Sequence, residues 1–313
     1  MNTKTAGTNF DFMRWVGLMS AISIALVALS LGVIFTKGLN LGLEFTGGTV
    51  LEVQSPKEVN LDTVRVALEE GGYEDAVTQH FGSSRDVMVR IPPQETEEDA
   101  KTGDEVGHEA YALLAEHIPG LQLTRVEFVG PQVGDELRDQ SGLAIMIAMG
   151  MMMIYLWFRF SNKFSLAAVV ALAHDVIIVL GLFAFFGWTF DLTILAAVLA
   201  VVGYSVNDTI VIADHIREDF RNSRLTEARD LINRAVNRTL SRTMITGLTT
   251  LLVLVALYIF GGEMIRGFSM ALIAGVIVGT YSSIYITNAI LLALGITKED
   301  FMLPEVEELD DMP

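Results

Sequence analysis

Asp175, Asp208 and Arg242 sit in parts of the chain where ionisable side chains are expensive. Asp208 lies inside the apolar run Leu192–Ala213, Asp175 near the middle of Phe164–Phe186, and Arg242 at the edge of Thr243–Phe260. About twenty apolar residues cross a bilayer as a helix, and a charge facing lipid at the bilayer centre costs roughly 3 kcal/mol. Three of them would cost about 8–10 kcal/mol, comparable to the stability of a whole domain. They are therefore expected in the bundle interior, near one another. Tyr204, Asp208, Val211 and His215 share one helical face, and Arg242, Thr246, Thr249 and Val253 share another. The two helices run antiparallel, so Asp208 and Arg242 fall at similar depths and an ion pair between them is sterically feasible. Burial of a carboxylate favours its neutral form while an adjacent arginine favours the charged one, and that balance suits proton exchange near neutral pH. Each elementary charge that crosses the membrane potential releases about 2.3 kcal/mol per 100 mV, enough to bias a two-state conformational change.

Such residues need a scaffold of spans. The chain has 313 residues, 51% of them hydrophobic, with mean hydropathy +0.46. That is too apolar for a soluble protein and too charged for one buried in lipid throughout. Six apolar runs stand out: Trp15–Phe35, Ser141–Phe158, Phe164–Phe186, Leu192–Ala213, Thr243–Phe260 and Phe268–Leu294. The first exceeds the about 7–15 residues of a signal-peptide core and reads as a retained anchor. Met146, Met149, Met151, Met152 and Met153 crowd the second and read as lipid or packing contacts. Gly275, Gly279 and Ser283, spaced four apart, read as a close helix-packing face. The net charge of −17 argues against a nucleic-acid partner, which needs a basic face. With no cysteine, disulfides and thiolate metal sites are excluded.

Residues 37–140 form the one long hydrophilic stretch. Thr49–Gln54 reads as a strand, Leu61–Glu70 as a helix, and Ala76–Phe81 with Val87–Ile91 as a hairpin around Gly82-Ser83-Ser84. Glu105–His117 then reads as a helix and Leu121–Val129 as a strand, with an acidic loop at Gln94–Asp104. The order β-α-β-β-α-β predicts a ferredoxin-like α+β domain. His80, His108 and His117 share no metal-ligand spacing and read as surface residues.

Arg159 and Lys163 lie between the second and third runs, and Arg217, Arg221, Arg224, Arg229, Arg234 and Arg238 between the fourth and fifth. The positive-inside rule puts these loops and both termini in the cytosol and the soluble domain outside. The expected organisation is a cytosolic N-terminus and first span (1–36), a periplasmic domain (37–140), and spans two to six (141–294). A cytosolic Arg-rich connection lies at 214–242, read as an amphipathic helix on the membrane surface, and an acidic cytosolic C-terminus at 295–313. The predicted fold class is a six-helix membrane bundle with one periplasmic ferredoxin-like domain between helices 1 and 2.

Several motifs in register resemble a known family. GLEFTGGT at Gly42–Thr49, VGPQVGDEL at Val129–Leu137, AHDV at Ala173–Val176, VNDTIVIADHIRE at Val206–Glu218 and NRTLSRTMITGLTTL at Asn237–Leu251 are similar, in order, to signatures of SecF proteins. Glu44 departs from the aspartate more usual there. The resemblance implies one six-helix half of a resistance-nodulation-division (RND) superfamily assembly in the bacterial inner membrane. SecD would supply the other half, with YajC, the SecYEG channel and a translocating preprotein as further partners. It implies no enzymatic activity and no cofactor beyond a coupling ion, H⁺ or Na⁺, whose gradient drives late, ATP-independent export. Asp208 would be the titrating carboxylate, Arg242 its charge partner and Thr246 a lining residue, with Asn207 and Asp175 added to the path. Two other functions remain open to the sequence. One is a non-transporting scaffold that anchors a periplasmic binding domain. The other is an intramembrane aspartyl protease built on Asp175 and Asp208, which would need two carboxyls sharing a proton.

Overall fold

The computed structural model describes residues 10–93, 103–222, 227–297 and 299–301. The acidic loop expected at Gln94–Asp104 lies outside them up to residue 102, as do Arg224 and the acidic stretch beyond residue 301. A short 3₁₀ turn (Met13–Trp15) leads into α1 (Val16–Lys37), the first membrane-length helix. Then come β1 (Asn40–Leu41), α2 (Leu43–Thr46), β2 (Gly48–Gln54), α3 (Leu61–Glu70), β3 (Val77–Phe81), β4 (Ser83–Ile91), α4 (Gly103–His117) and β5 (Gln122–Val129).

The predicted β-α-β-β-α-β order is present, as an antiparallel sheet in the order β3-β4-β2-β5. Asn60 caps α3 by accepting from the Asp62 amide at 2.9 Å. Gly82, at φ 79°, reverses the chain between β3 and β4. Ser83 and Ser84, expected in the loop, therefore belong to β4, and a register shift between His80 and Phe81 absorbs the tight reversal. Strand alternation sends Leu51, Val53, Val87, Val89 and Ile91 to one face, where they pack on Val64, Ala67 and Leu68 of α3 and Ala110 and Leu114 of α4. The opposite face, with Val50, Glu52, Met88 and Arg90, carries no helix of the domain and looks onto the end of the membrane bundle. His80, His108 and His117 are exposed.

The bundle comprises α1, α5 (Pro131–Arg159), α6 (Asn162–Phe186), α7 (Leu192–Asn222), α8 (Ala228–Phe260) and α9 (Glu263–Ala293), with β6 (Thr189–Phe190) between α6 and α7. All six helices are long and apolar enough to cross a membrane. Buried shares of 61%, 56% and 50% for the apolar windows of α6, α7 and α9, against 11–17% for α1, α5 and α8, place the first three at the centre. Met146, Met151 and Met153 are exposed on α5.

α5 starts ten residues before its apolar run, with Gly130 as cap and Pro131 in the first turn, where a missing N–H costs nothing. Among the described residues of 214–242, no helix stands apart from the spans. Those residues, outside 223–226, form the ends of α7 and α8, a hairpin continuous with the spans. Phe220, Leu231, Ile232 and Val236 are buried there, so the apolar stripe packs on protein rather than lying on lipid. Arg238 bridges Asp219 (2.7 Å) and Glu218 (3.2 Å). Asn233 accepts from the Phe12 amide (2.8 Å), Asn237 brackets the Phe10 backbone, and Arg229 donates to the Met13 carbonyl (2.7 Å). The segment before α1 is thereby seated on α8.

Candidate functional site in the membrane bundle

Asp175 lies thirteen residues into α6, and Ser205 thirteen residues into α7. At 1.5 Å per residue both are about 20 Å from opposite ends of antiparallel helices, near mid-span. The Asp175 carboxylate accepts from Ser205 Oγ (2.6 Å) and Ser282 Oγ of α9 (2.8 Å), and its other oxygen meets His174 Nδ1 (2.9 Å). All four residues are buried. Thr209 and Ser283 extend the cluster at 2.7 Å.

Close backbone approach makes this possible. Gly275 opposes Val201 and Gly279 opposes Ser205, one register offset that continues to Ser283 opposite Thr209. A methyl on Gly275 would collide with the Val201 side chain, and one on Gly279 would lie 2.9 Å from Ser205 Cβ. Small residues at every fourth position let two helices touch closely in lipid.

Asp208 is one turn further along α7, buried, and its Oδ2 has no hydrogen-bond partner among the described residues. Thr243 Oγ1 is likewise buried without a partner among the described residues, while Tyr204 Oη faces the hydroxyls of Thr250 and Thr280. Tyr204 Oη and Thr280 Oγ1 converge on Gly247, at 3.7 and 3.6 Å from where its Cβ would stand. Orphaned polar groups in low dielectric are costly and mark sites that water or an ion completes.

Arg242, expected beside Asp208, is exposed on α8, and no ion pair joins them within 4 Å. Its charge still acts on Asp208 at longer range. The buried face of α8 is Thr243, Gly247 and Leu254, one residue (about 100°) away from the Arg242, Thr246, Thr249 and Val253 face chosen from the sequence. Thr246 is half-buried and its hydroxyl bonds back to the Arg242 carbonyl (2.8 Å). Asn207 is exposed on α7 together with Gly203. Asn207, Arg242 and Thr249 are therefore each turned outward, on helices whose buried faces carry Asp208 and Thr243, rather than into the bundle.

Asp175 and Asp208 share no hydrogen bond, the contact a proton-sharing protease pair requires. Among the described residues no group of three or more His, Asp or Glu could hold a metal ion. Sequence reasoning missed Ser205, Ser282 and Thr243. Hydroxyls in apolar runs usually bond their own backbone, and only the spacing against Gly279 hints otherwise.

A six-span bundle with a ferredoxin-like domain after its first helix and carboxylates buried in its third and fourth is the architecture of an RND-superfamily half. Residues 110–297 match the family described as "Protein export membrane protein SecD/SecF, C-terminal", and residues 32–55 match the "SecD/SecF GG Motif". The chain is similar to the protein translocase subunit SecF of Pseudomonas aeruginosa, 48% identical over 316 residues and covering all of both chains. It is 42% identical to that of Escherichia coli O157:H7, covering 96% of this chain and 92% of the other. The crystal structure of SecDF from Thermus thermophilus superposes with a TM-score of 0.83 at 39% identity, over 91% of this chain and 38% of that longer one. SecDF in its super-membrane-facing form gives 0.67. The chain belongs to the SecD/SecF protein-export family and is a multi-pass inner-membrane protein with a role in export through the Sec pathway.

Proposed function

We propose that this chain is the ion-coupled half of an export accessory, completed by a SecD partner, and that Asp208 is the group that binds and releases the coupling ion. The reading rests above all on Asp208 Oδ2, a buried carboxylate oxygen left without a partner among the described residues, next in sequence to the exposed Asn207. A second subunit seated on Asn207, Arg242 and Thr246 would close that face from lipid and bring Arg242 into play. Ion occupancy then alternates between a charged and a neutral Asp208, and the membrane potential biases the two states. On this reading both termini are cytosolic, the soluble domain is periplasmic, and SecYEG, YajC and the preprotein are the working partners. H⁺ suits a lone carboxylate with hydroxyls better than Na⁺, which prefers a cage of oxygens.

Asp175 takes a different part. Its hydrogen bonds to Ser205 and Ser282 tie α6 to α7 and α9, which supports a structural share in its role. Between Thr193 and Gly203 α7 carries only apolar side chains, about 15 Å of dry helix. An ion entering from the domain end would therefore travel along the partner-facing seam.

The test is export into inverted vesicles with the proton and sodium gradients collapsed separately, for the parent and Asp208→Asn. The parent loses the late phase of export with one gradient only, and Asp208→Asn behaves as the collapsed parent in both. Unchanged export and ion conduction in Asp208→Asn at normal expression would refute the coupling role.

A further inference from the structure

The central helix α9 is left uncovered over part of its length. Met270, Ile273, Ala274 and Ile277 recur every three or four residues on one of its faces, with Leu182 of α6 and Tyr258 of α8 beside them. The groove holds about 430 Å³, within the size of ligand pockets, and among the described residues no charged side chain lines it. Met270 and Ile277 stand seven and fourteen residues into α9, so the groove runs from about 10 to about 21 Å below the domain end. That is the depth of the acyl chains of one leaflet. A partner seated on the Arg242 side of α8 leaves it open, because Tyr258, sixteen residues on, lies about 160° away around the helix.

The groove opens upward into a charged space. Trp188 and Met270 line it and also line a second cavity of about 440 Å³, between the helix-free face of the sheet and the bundle. Trp188 is fixed edge-on to Phe183 (5.4 Å) and stacked on Phe186 (4.6 Å), so the two spaces meet at one fixed indole and one flexible thioether. Arg266 borders the upper cavity one turn above Met270, over the Tyr258 ring at 5.7 Å. Arg90 donates to the Leu41 carbonyl (2.6 Å), Arg125 pairs with Glu127, and Asp191 accepts from the Ile194 amide (2.9 Å). Glu44 and Glu52 have no cation within 4 Å among the described residues. Burial raises the Glu44 carboxyl above its ordinary value and Asp191 and Glu127 add to the rise, while a backbone hydrogen bond and Arg90 oppose it. A cation brought by a ligand would relieve that carboxylate.

We propose that one membrane phospholipid with a zwitterionic, ammonium-bearing headgroup occupies both spaces, an acyl chain in the groove, its phosphate at Arg266 and its ammonium toward Glu44 and Glu52. Four carboxylates (Glu44, Glu52, Glu127, Asp191) and three guanidiniums (Arg90, Arg125, Arg266) line the upper cavity. That excess of one negative charge matches an ammonium headgroup and disfavours an anionic one such as phosphatidylglycerol. Trp188 and Tyr258, at the border of the two spaces, are the residue types that settle at headgroup level. The headgroup fills the space under the sheet, so the soluble domain rests on lipid as well as on protein. The site is separate from Asp208 and does not depend on ion coupling.

The experiment uses the full-length chain in vesicles of phosphatidylethanolamine and phosphatidylglycerol. The probe is a phosphatidylethanolamine with a diazirine midway along one acyl chain, activated by light and mapped by mass spectrometry of the digested chain. Label concentrates on Met270–Val278 and Tyr258, above the level on Ile24 and Leu29, which are exposed on α1. Unlabelled phosphatidylethanolamine competes it away, and phosphatidylglycerol competes less well. Ala274→Trp fills the groove and removes the excess label. Glu44→Gln keeps the groove and lowers the preference for phosphatidylethanolamine about threefold, the size of one partly screened ion pair. Its site is in the soluble domain, so it decides the matter on its own should Ala274→Trp not fold. Label no higher than on α1, equal competition by the two lipids, label that survives Ala274→Trp, or an unchanged preference in Glu44→Gln would overturn the proposal.

Discussion

Replacing each buried aspartate by asparagine gives opposite outcomes for stability and export. At Asp175 the carboxylate receives Ser205 and Ser282 from two other helices. Hydrogen bonds to a charged acceptor contribute about 1.5–3 kcal/mol and neutral ones about 0.5–1.5. Moving two bonds from the first class to the second costs about 2 kcal/mol, and measured interhelical bonds in membranes, averaging about 0.6, pull this down. Asp175→Asn therefore loses about 1–2 kcal/mol of unfolding free energy. At Asp208 no partner bond is lost, because Oδ2 has none. Asp208→Asn removes only the penalty of burying a charge and leaves stability unchanged or higher by up to about 1 kcal/mol. Steric trapping of the full-length chain in bicelles measures both, with export assayed in parallel. Asp208→Asn is the stable, inactive variant and Asp175→Asn the weakened one. Equal destabilisation by the two would refute the division between a structural and a working carboxylate.

Gly275→Val and Gly279→Val each push α7 from α9 and cost about 1–3 kcal/mol by thermal unfolding, whereas Gly203→Ala, with nothing within 4 Å of the new methyl, leaves the isolated chain unchanged. Leu114→Ala, at a fully buried site, destabilises the soluble domain by about 2–5 kcal/mol, read by hydrogen exchange of β2 and β4. Because the Glu44 carboxyl is raised in the folded state, the native chain binds its proton more tightly than the unfolded one, and stability falls as pH rises above the ordinary value of 4.5. Denaturant titrations from pH 4 upward show that decline in the parent, and less of it in Glu44→Gln. Asn233→Ala frees the Phe12 amide and speeds proteolysis before α1, followed by mass spectrometry.

The soluble domain was the more legible half. Leu61–Glu70 and the hairpin follow from apolar spacing and from glycines at reversals, signals that act over a few residues. The spans were equally plain as apolar runs, but their ends were not. A run stops where the hydrocarbon stops, while the helix continues as long as backbone hydrogen bonds and packing allow, as α7 does to Asn222. Pro131 after Gly130 was a readable start signal for α5. Asp175 and Asp208 announced themselves by their cost, yet their surroundings did not. Which face of α8 turns inward depends on a difference of one residue, and both candidate faces carry threonines. Arg242 drew the choice to the face that the single chain leaves exposed.

The two-residue strand β1 hydrogen-bonds in parallel to β6, and the Gly42 amide donates to the Phe190 carbonyl at 2.8 Å. The soluble domain thus stands on two legs, one rising from α1 and one clipped to the entrance of α7. A third support comes where β5 runs through Gly130 directly into α5. A tripod whose feet belong to different spans cannot stay level when one foot moves lengthwise. If Asp208 has the coupling role proposed above, a lengthwise slide of α7 would be passed through β6 and β1 to the whole platform.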